Sequence, residues 1–133
     1  MLAGSAIRRV AIVGGQRIPF ARAHGAYAAV GNQDMLSAVL RTLVAKFNLA
    51  GVRLGDVIAG ATIKHSRDFN LVRECVLSSG LDPHTPGLDI QRACGTSLEA
   101  AILIGGKIAL GQIDAGIAGG VDSVSDVPIV YPR

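Results

Sequence analysis

The sequence predicts an α/β domain with a mostly parallel sheet, and an incomplete one. Two observations carry this expectation. Short apolar runs of strand length alternate with apolar-periodic helical stretches, the pattern of parallel strands joined by right-handed crossovers. The last helical stretch is also more apolar than three or four strands can cover. At 133 residues the chain suits one compact unit spanning 1–133.

Residues 10–13, Val-Ala-Ile-Val closed by Gly14-Gly15, form a continuous apolar run of the kind seen in buried parallel strands, starting near Ile7. From Asn32 or Gln33, Met35, Val39, Leu43 and Phe47 recur every four residues with Leu36 and Leu40 beside them, which predicts an amphipathic helix ended by Gly51. Residues 56–61 read as the second strand and 62–70 as a polar loop. Leu71, Val72, Cys75, Val76 and Ser79 line a shorter helix stopped by Gly80. Residues 88–91 are the predicted third strand. A long helix follows from about Cys94 to Leu110, stopped by Gly111, and residues 114–121 are the fourth strand. Leu98, Ile102, Leu103, Ile104, Ile108 and Leu110 surround the axis of that helix, with only Glu99 and Lys107 charged, so it is expected to be buried all round. The expected topology is βαβαβαβ.

Composition excludes several function classes. Half the residues are hydrophobic and 17% are charged, so the chain does not read as disordered. The net charge of +3 is scattered rather than gathered into a stripe, and aromatics are only 4%, which argues against a nucleic-acid groove. No stretch reaches the ~20 apolar residues of a membrane span. Residues 1–7 precede Arg8-Arg9, the reverse of the charge order in a signal peptide. Two cysteines without C-x-x-C or Cys/His spacing suggest neither zinc nor a disulfide framework. A reducing, cytoplasmic setting follows as the expectation. Gly14-Gly15 lacks the G-x-G-x-x-G continuation of a dinucleotide site, and P-loop, H-E-x-x-H, EF-hand and Gly-x-Ser-x-Gly patterns are absent.

The chemistry concentrates in Gln91-Arg92-Ala93-Cys94-Gly95-Thr96-Ser97-Leu98-Glu99-Ala100. Here Cys94 lies at a strand-to-helix turn. Free N–H groups and the positive end of a helix dipole favour thiolate there. Gly95 leaves room for substrate, and nearby N–H groups could stabilise an oxyanion. Thr96-x-x-Glu99 matches a capping box, with a helix start at Cys94 as the alternative. Free cysteines are also commonly buried and inert, so these local features leave both readings of Cys94 open. Cys75, inside an amphipathic helix, reads as a core residue. His24 and His84 read as surface-loop residues, and His65, on a loop after a strand end, is not read as catalytic.

The nucleophile segment resembles that of the thiolase family, in which a Cys between small residues opens a long buried helix. Four further stretches resemble the same family in order: Arg17-Ile18-Pro19-Phe20, Gly60-Ala61-Thr62-Ile63, residues 70–74 with Arg73, and Ala118-Gly119-Gly120-Val121-Asp122-Ser123-Val124-Ser125. The chain departs from the family at Thr96-Ser97 (often Ser-Gly), Asp122 (usually Glu) and Gln91 (usually Asn). The resemblance implies an acyltransferase that forms an acyl-thioester on Cys94 and exchanges acyl groups between 3-ketoacyl-CoA or acetyl-CoA and CoA. It implies CoA thioesters as substrates, no bound cofactor or metal, and no assigned CoA-contacting residues. It also implies that the fifth strand, the CoA-binding loop region, the activating His, the Asn-Glu motif and the second catalytic Cys lie beyond Arg133. The chain alone is therefore expected to be inactive, and to pair as a homo-oligomer or with a companion chain carrying the C-terminal half. A 3-oxoacyl carrier-protein synthase-like enzyme and a non-catalytic acyl-binding or interaction module are the alternatives.

Overall fold

The computed structural model describes residues 7–132. Most of the 1–7 segment weighed against a signal peptide lies outside them. Six regular elements follow one another: α1 (Asn32–Lys46), β1 (Asp56–Ala59), α2 (Leu71–Leu77), β2 (Gly87–Asp89), α3 (Thr96–Ala109) and β3 (Gly116–Ala118), with a short 3-10 turn at Ser66–Asp68. The strands form one parallel sheet in the order β2-β1-β3. Val57 pairs with Gly87 on one side and with Ile117 on the other. The α/β class and the parallel sheet stand as predicted from the alternating pattern.

The central strand β1 is buried along its whole length, as an apolar run flanked by strands on both sides must be. Helices α1 and α2 cover one face of the sheet. Leu36, Leu40 and Val44 meet Val57, Ala59, Leu71, Val72, Cys75 and Val76 in the main core. The other face carries α3, whose Ala100 and Ile104 pack on Ile58. Helix ends follow the predicted glycines: Gly51, Gly80 and Gly111 all have positive φ, which costs a glycine little. Asp89, at the end of β2, closes the start of α2. Its two carboxylate oxygens accept from Leu71 N (3.1 Å) and Val72 N (2.7 Å), and Lys64 pairs with it at 3.2 Å.

Three expectations change. The first predicted strand does not form: residues 7–20 take no sheet assignment, and Ile12 and Val13 are 92% and 82% exposed. The segment is tethered at its two ends instead. Arg8 N donates to Ala109 O, Arg8 pairs with Asp114, and Lys46 Nζ reaches Gly15 O. The physical reason is the lack of a neighbour. A strand needs an adjacent strand for its backbone groups, and between residues 10–13 and the edge strand β3 lies an open groove of about 1120 Å³. Second, α3 is not buried all round. Leu98, Ile102 and Leu110 stay exposed, because the sheet covers only the face that carries Ala100 and Ile104. Third, the remaining strands are shorter than predicted: beyond the paired ladder only single bonds continue, Ile90 N to Ala59 O, Gly119 N to Ile58 O and Val121 N to Gly60 O, as the chain turns toward the loops.

The half-buried Val39 and Leu43 of α1, with Phe47 just past its end, face the same groove rather than the core. Among the described residues no helix is long and apolar enough to cross a membrane.

Candidate active site

The C-terminal ends of the three parallel strands lead into the loops that hold the motif residues. After β2, Ile90 N donates to Ala59 O at 2.9 Å, which keeps the chain against β1 for one more residue. Gly60 makes this approach feasible. A Cβ there would overlap the Ile90 carbonyl oxygen and lie 2.9 Å from its carbon, so no larger residue fits without moving the backbone.

Residues 91–95 then form a tight turn. Gly95 N donates to Arg92 O at 2.9 Å. Ala93, between them, adopts φ 42, a left-handed conformation that costs a residue with a Cβ about 1–2 kcal/mol. The backbone is therefore strained one residue before Cys94, where strain often marks a functional turn. The turn is fastened from below by Thr96, which is 5% exposed. Its hydroxyl accepts from Arg92 N (2.9 Å) and donates to Ala93 O (2.8 Å).

Helix α3 begins at Thr96 with Gly95 as its N-cap, one residue earlier than a Thr96 cap would place it and two later than a start at Cys94. The capping box does not form. The Thr96 hydroxyl is engaged behind itself, and Glu99 pairs with Arg92 at 3.5 Å. Cys94 is a free, exposed thiol two residues before the first helical residue. Among the described residues, the N–H groups of Ser97 and Leu98 donate to no protein group. They are the orphan donors that every helix start presents.

The loop after β3 closes onto this region. Gly120 lies so near α3 that a Cβ would be 3.3 Å from Ser97 Cβ and 3.5 Å from Ser97 N. Asp122 Oδ1 accepts from Thr62 N (2.9 Å) and Ile63 N (2.8 Å), tying the β3 loop to the β1 loop. Asp126 adds a second tie through Arg67 and through His65 Nε2 at 3.0 Å. The motif stretches after β1, β2 and β3 thus converge on one end of the sheet. Arg17-Ile18-Pro19-Phe20 does not join them as a packed element: Arg17 stacks on its own neighbour Phe20 at 4.3 Å, and Phe20 is 93% exposed.

No histidine serves Cys94 among the described residues. His65 is bound to Asp126, His84 lies beside Asp82, and His24 sits in an exposed loop where its N–H donates to Ser125 Oγ. The His84 backbone and ring hold the Asp82 carboxyl below its ordinary range. Cys75 is fully buried beneath α1, and burial pushes its thiol from 9.0 up to about 11. Its protonated, enclosed sulfur suits packing, as its helical context predicts. No group of three or more His, Cys, Asp and Glu is placed to hold a metal among the described residues.

Sequence reasoning singled out Cys94 but missed two of the residues that shape its turn. Thr96 was read as a cap, and Gly60 only as part of a motif. The signal for Gly60 was available, since an isolated glycine at a strand end marks close backbone approach.

The profile described as "Thiolase, N-terminal domain" matches residues 10–133. A 3-ketoacyl-CoA thiolase of Shewanella sp. (strain ANA-3) is 37% identical over 121 residues, covering 91% of this chain and 28% of that protein. A 3-ketoacyl-CoA thiolase of Vibrio cholerae is 37% identical over the same shares. The crystal structure of the Bacillus anthracis acetyl-CoA acetyltransferase superposes with a TM-score of 0.77 at 26% identity, over 84% of this chain and 28% of that one. The chain spans a little over a quarter of the length of these relatives.

Proposed function

Because this chain belongs to the thiolase family, through that family's N-terminal domain, we propose that Cys94 is the nucleophile of an acyltransferase acting on CoA thioesters. The supporting observation is an exposed thiol held on a strained β2–α3 turn, in front of a helix whose Ser97 and Leu98 N–H groups donate to no protein group among the described residues.

In the degradative direction the Cys94 thiolate adds to the ketone carbonyl of a 3-ketoacyl-CoA. The carbon–carbon bond to the thioester arm breaks, and the departing acetyl-CoA carbanion takes up a proton. The acyl group stays on sulfur as a thioester. The thiolate of a second CoA adds to that thioester and regenerates the Cys94 thiolate. Claisen condensation of two acyl groups is the reverse. The family pattern puts the activating base, the second acid/base and the CoA grip outside this sequence. What these residues contribute is the nucleophile, its presentation and a set of N–H donors near the developing oxyanion.

These 133 residues are therefore expected to be inactive by themselves, and to act in the cytoplasm together with the groups that complete the site. They need neither nucleic acid, membrane, metal nor resident cofactor. The reading includes association, as a homo-oligomer or with a companion chain carrying the C-terminal half. The groove beside β3 supports this, because it places an unpaired sheet edge between exposed Ile12 and Val13 and the side of α3 that carries Ala101 and Gly105. An uncovered edge and apolar face of this kind tend to be filled by partner structure.

The test is alkylation of the folded chain with iodoacetamide at pH 7, followed by peptide mapping. Cys94 is expected to react faster than the cysteine of an unstructured Ala-Cys-Gly peptide, and Cys75 not at all. A Cys94 rate equal to the peptide's would favour the non-catalytic reading. Carrier-protein thioesters outperforming CoA thioesters as acyl donors to a longer protein would favour the synthase reading.

A further inference from the structure

Resting on the reading of Cys94 as nucleophile, we infer that Thr96 is a positioning residue whose hydroxyl holds the Cys94 turn in its strained, reactive shape. Three observations converge on this side chain. Ala93 sits at φ 42, which an alanine leaves unless its surroundings prevent it. The Thr96 hydroxyl is the one side-chain group that bonds both flanks of that residue, accepting from Arg92 N at 2.9 Å and donating to Ala93 O at 2.8 Å. Thr96 is also buried, so water does not readily replace those bonds.

The remaining ties are weaker or local. Gln91 Oε1 accepts from Ala93 N at a long 3.4 Å, and the Arg92–Glu99 pair is largely exposed. Gly95 N to Arg92 O closes the turn but does not select the hand of Ala93. Without the hydroxyl, Ala93 relaxes toward ordinary backbone and the Cys94 sulfur leaves the mouth of α3. Thr96 does not touch the substrate. It acts through the backbone on either side of Ala93.

The experiment measures Cys94 alkylation by iodoacetamide across pH in the whole chain, with the Ala-Cys-Gly peptide as reference. Thr96→Val keeps the shape and removes the hydroxyl, and Thr96→Ser keeps the hydroxyl. Thr96→Val is expected to slow Cys94 about fivefold, the factor that one net buried hydrogen bond is worth. Thr96→Ser is expected to stay near wild type. Adding Ala93→Gly to Thr96→Val is expected to recover most of the rate, because glycine takes positive φ without strain. Hydrogen exchange of the Arg92 amide in the unmodified chain gives a readout that needs no variant, and this amide is expected to be protected.

Thr96→Val matching wild type, Thr96→Ser falling as far as Thr96→Val, or an unprotected Arg92 amide would each overturn the inference while leaving Cys94 as nucleophile. A wild-type Cys94 no faster than the peptide would instead remove the reading on which it rests.

Discussion

Replacing Gly60 with alanine tests the architecture that brings β1 against the Cys94 segment. The added Cβ would overlap the carbonyl oxygen of Ile90 and sit 2.9 Å from its carbon and 3.3 Å from its nitrogen. All three atoms are backbone, so no side chain can swing away. Relief requires the two strand ends to part by about 1 Å or more, an overpacking cost of about 1–3 kcal/mol. The same movement stretches Ile90 N to Ala59 O and Val121 N to Gly60 O, now 2.9 and 3.0 Å. At about 1 kcal/mol net for each hydrogen bond, the expected loss is about 3–5 kcal/mol. That is a large share of the roughly 5–15 kcal/mol typical of a domain. With a urea m-value of about 2 kcal/mol/M, the unfolding midpoint should fall by about 1.5–2.5 M. Gly106→Ala is the control. Its Cβ meets nothing within 4 Å on α3, and the change should raise stability by about 0.5–1 kcal/mol. A Gly60→Ala midpoint within about 0.3 M of wild type, followed by circular dichroism, would refute the close packing of β1 on Ile90.

Three other outcomes follow from the same structure. Asp89→Ala removes the carboxylate that accepts from Leu71 N and Val72 N, and should lower stability by about 1–2 kcal/mol in urea melts, with Asp89→Asn losing less. Cys75 keeps its proton to about pH 11 when folded, whereas the unfolded thiol releases it near 9.0. Its contribution is therefore complete below pH 9 and lost as pH rises toward 11, an effect of about 2–3 kcal/mol that should be missing from the pH slope of Cys75→Ala. The uncovered groove should make the isolated chain self-associate, and a monodisperse monomer in light scattering would contradict this.

What the sequence disclosed depended on whether the information was local. Helix positions and their glycine stops were legible, because periodicity and positive φ are properties of neighbouring residues. The four-residue stripe of α1 predicted a helix, but it is Leu36, Leu40 and Val44 that pack in the core, whereas Val39, Leu43 and Phe47 only line the groove, which Leu36 and Leu40 also reach. Which apolar flank meets the sheet is decided by tertiary packing and not by spacing. Residues 10–13 show the same limit more sharply. Their apolar run encodes a buried strand, yet a strand also needs a neighbour, and β3 is separated from them by open space. The position of Cys94 at a strand-to-helix turn was legible because the strand–Cys–Gly–helix pattern is local. The hydroxyl ties of Thr96 and the crossing of Gly60 over Ile90 were not, since each depends on how separate segments meet. Asp122, one methylene shorter than the family's usual Glu, still ties the β1 and β3 loops together through two backbone N–H groups.

The most direct test of Cys94 as acyl acceptor is to place this sequence in a polypeptide that supplies the downstream half of a relative, expose it to acetyl-CoA, and map the product by mass spectrometry. Trypsin cuts after Arg92 and Lys107, so residues 93–107 form a peptide in which Cys94 is the sole cysteine. The account requires a hydroxylamine-labile acetyl group on that peptide, which disappears in Cys94→Ser together with turnover. Acetylation at another residue, or undiminished turnover in Cys94→Ser, would contradict it.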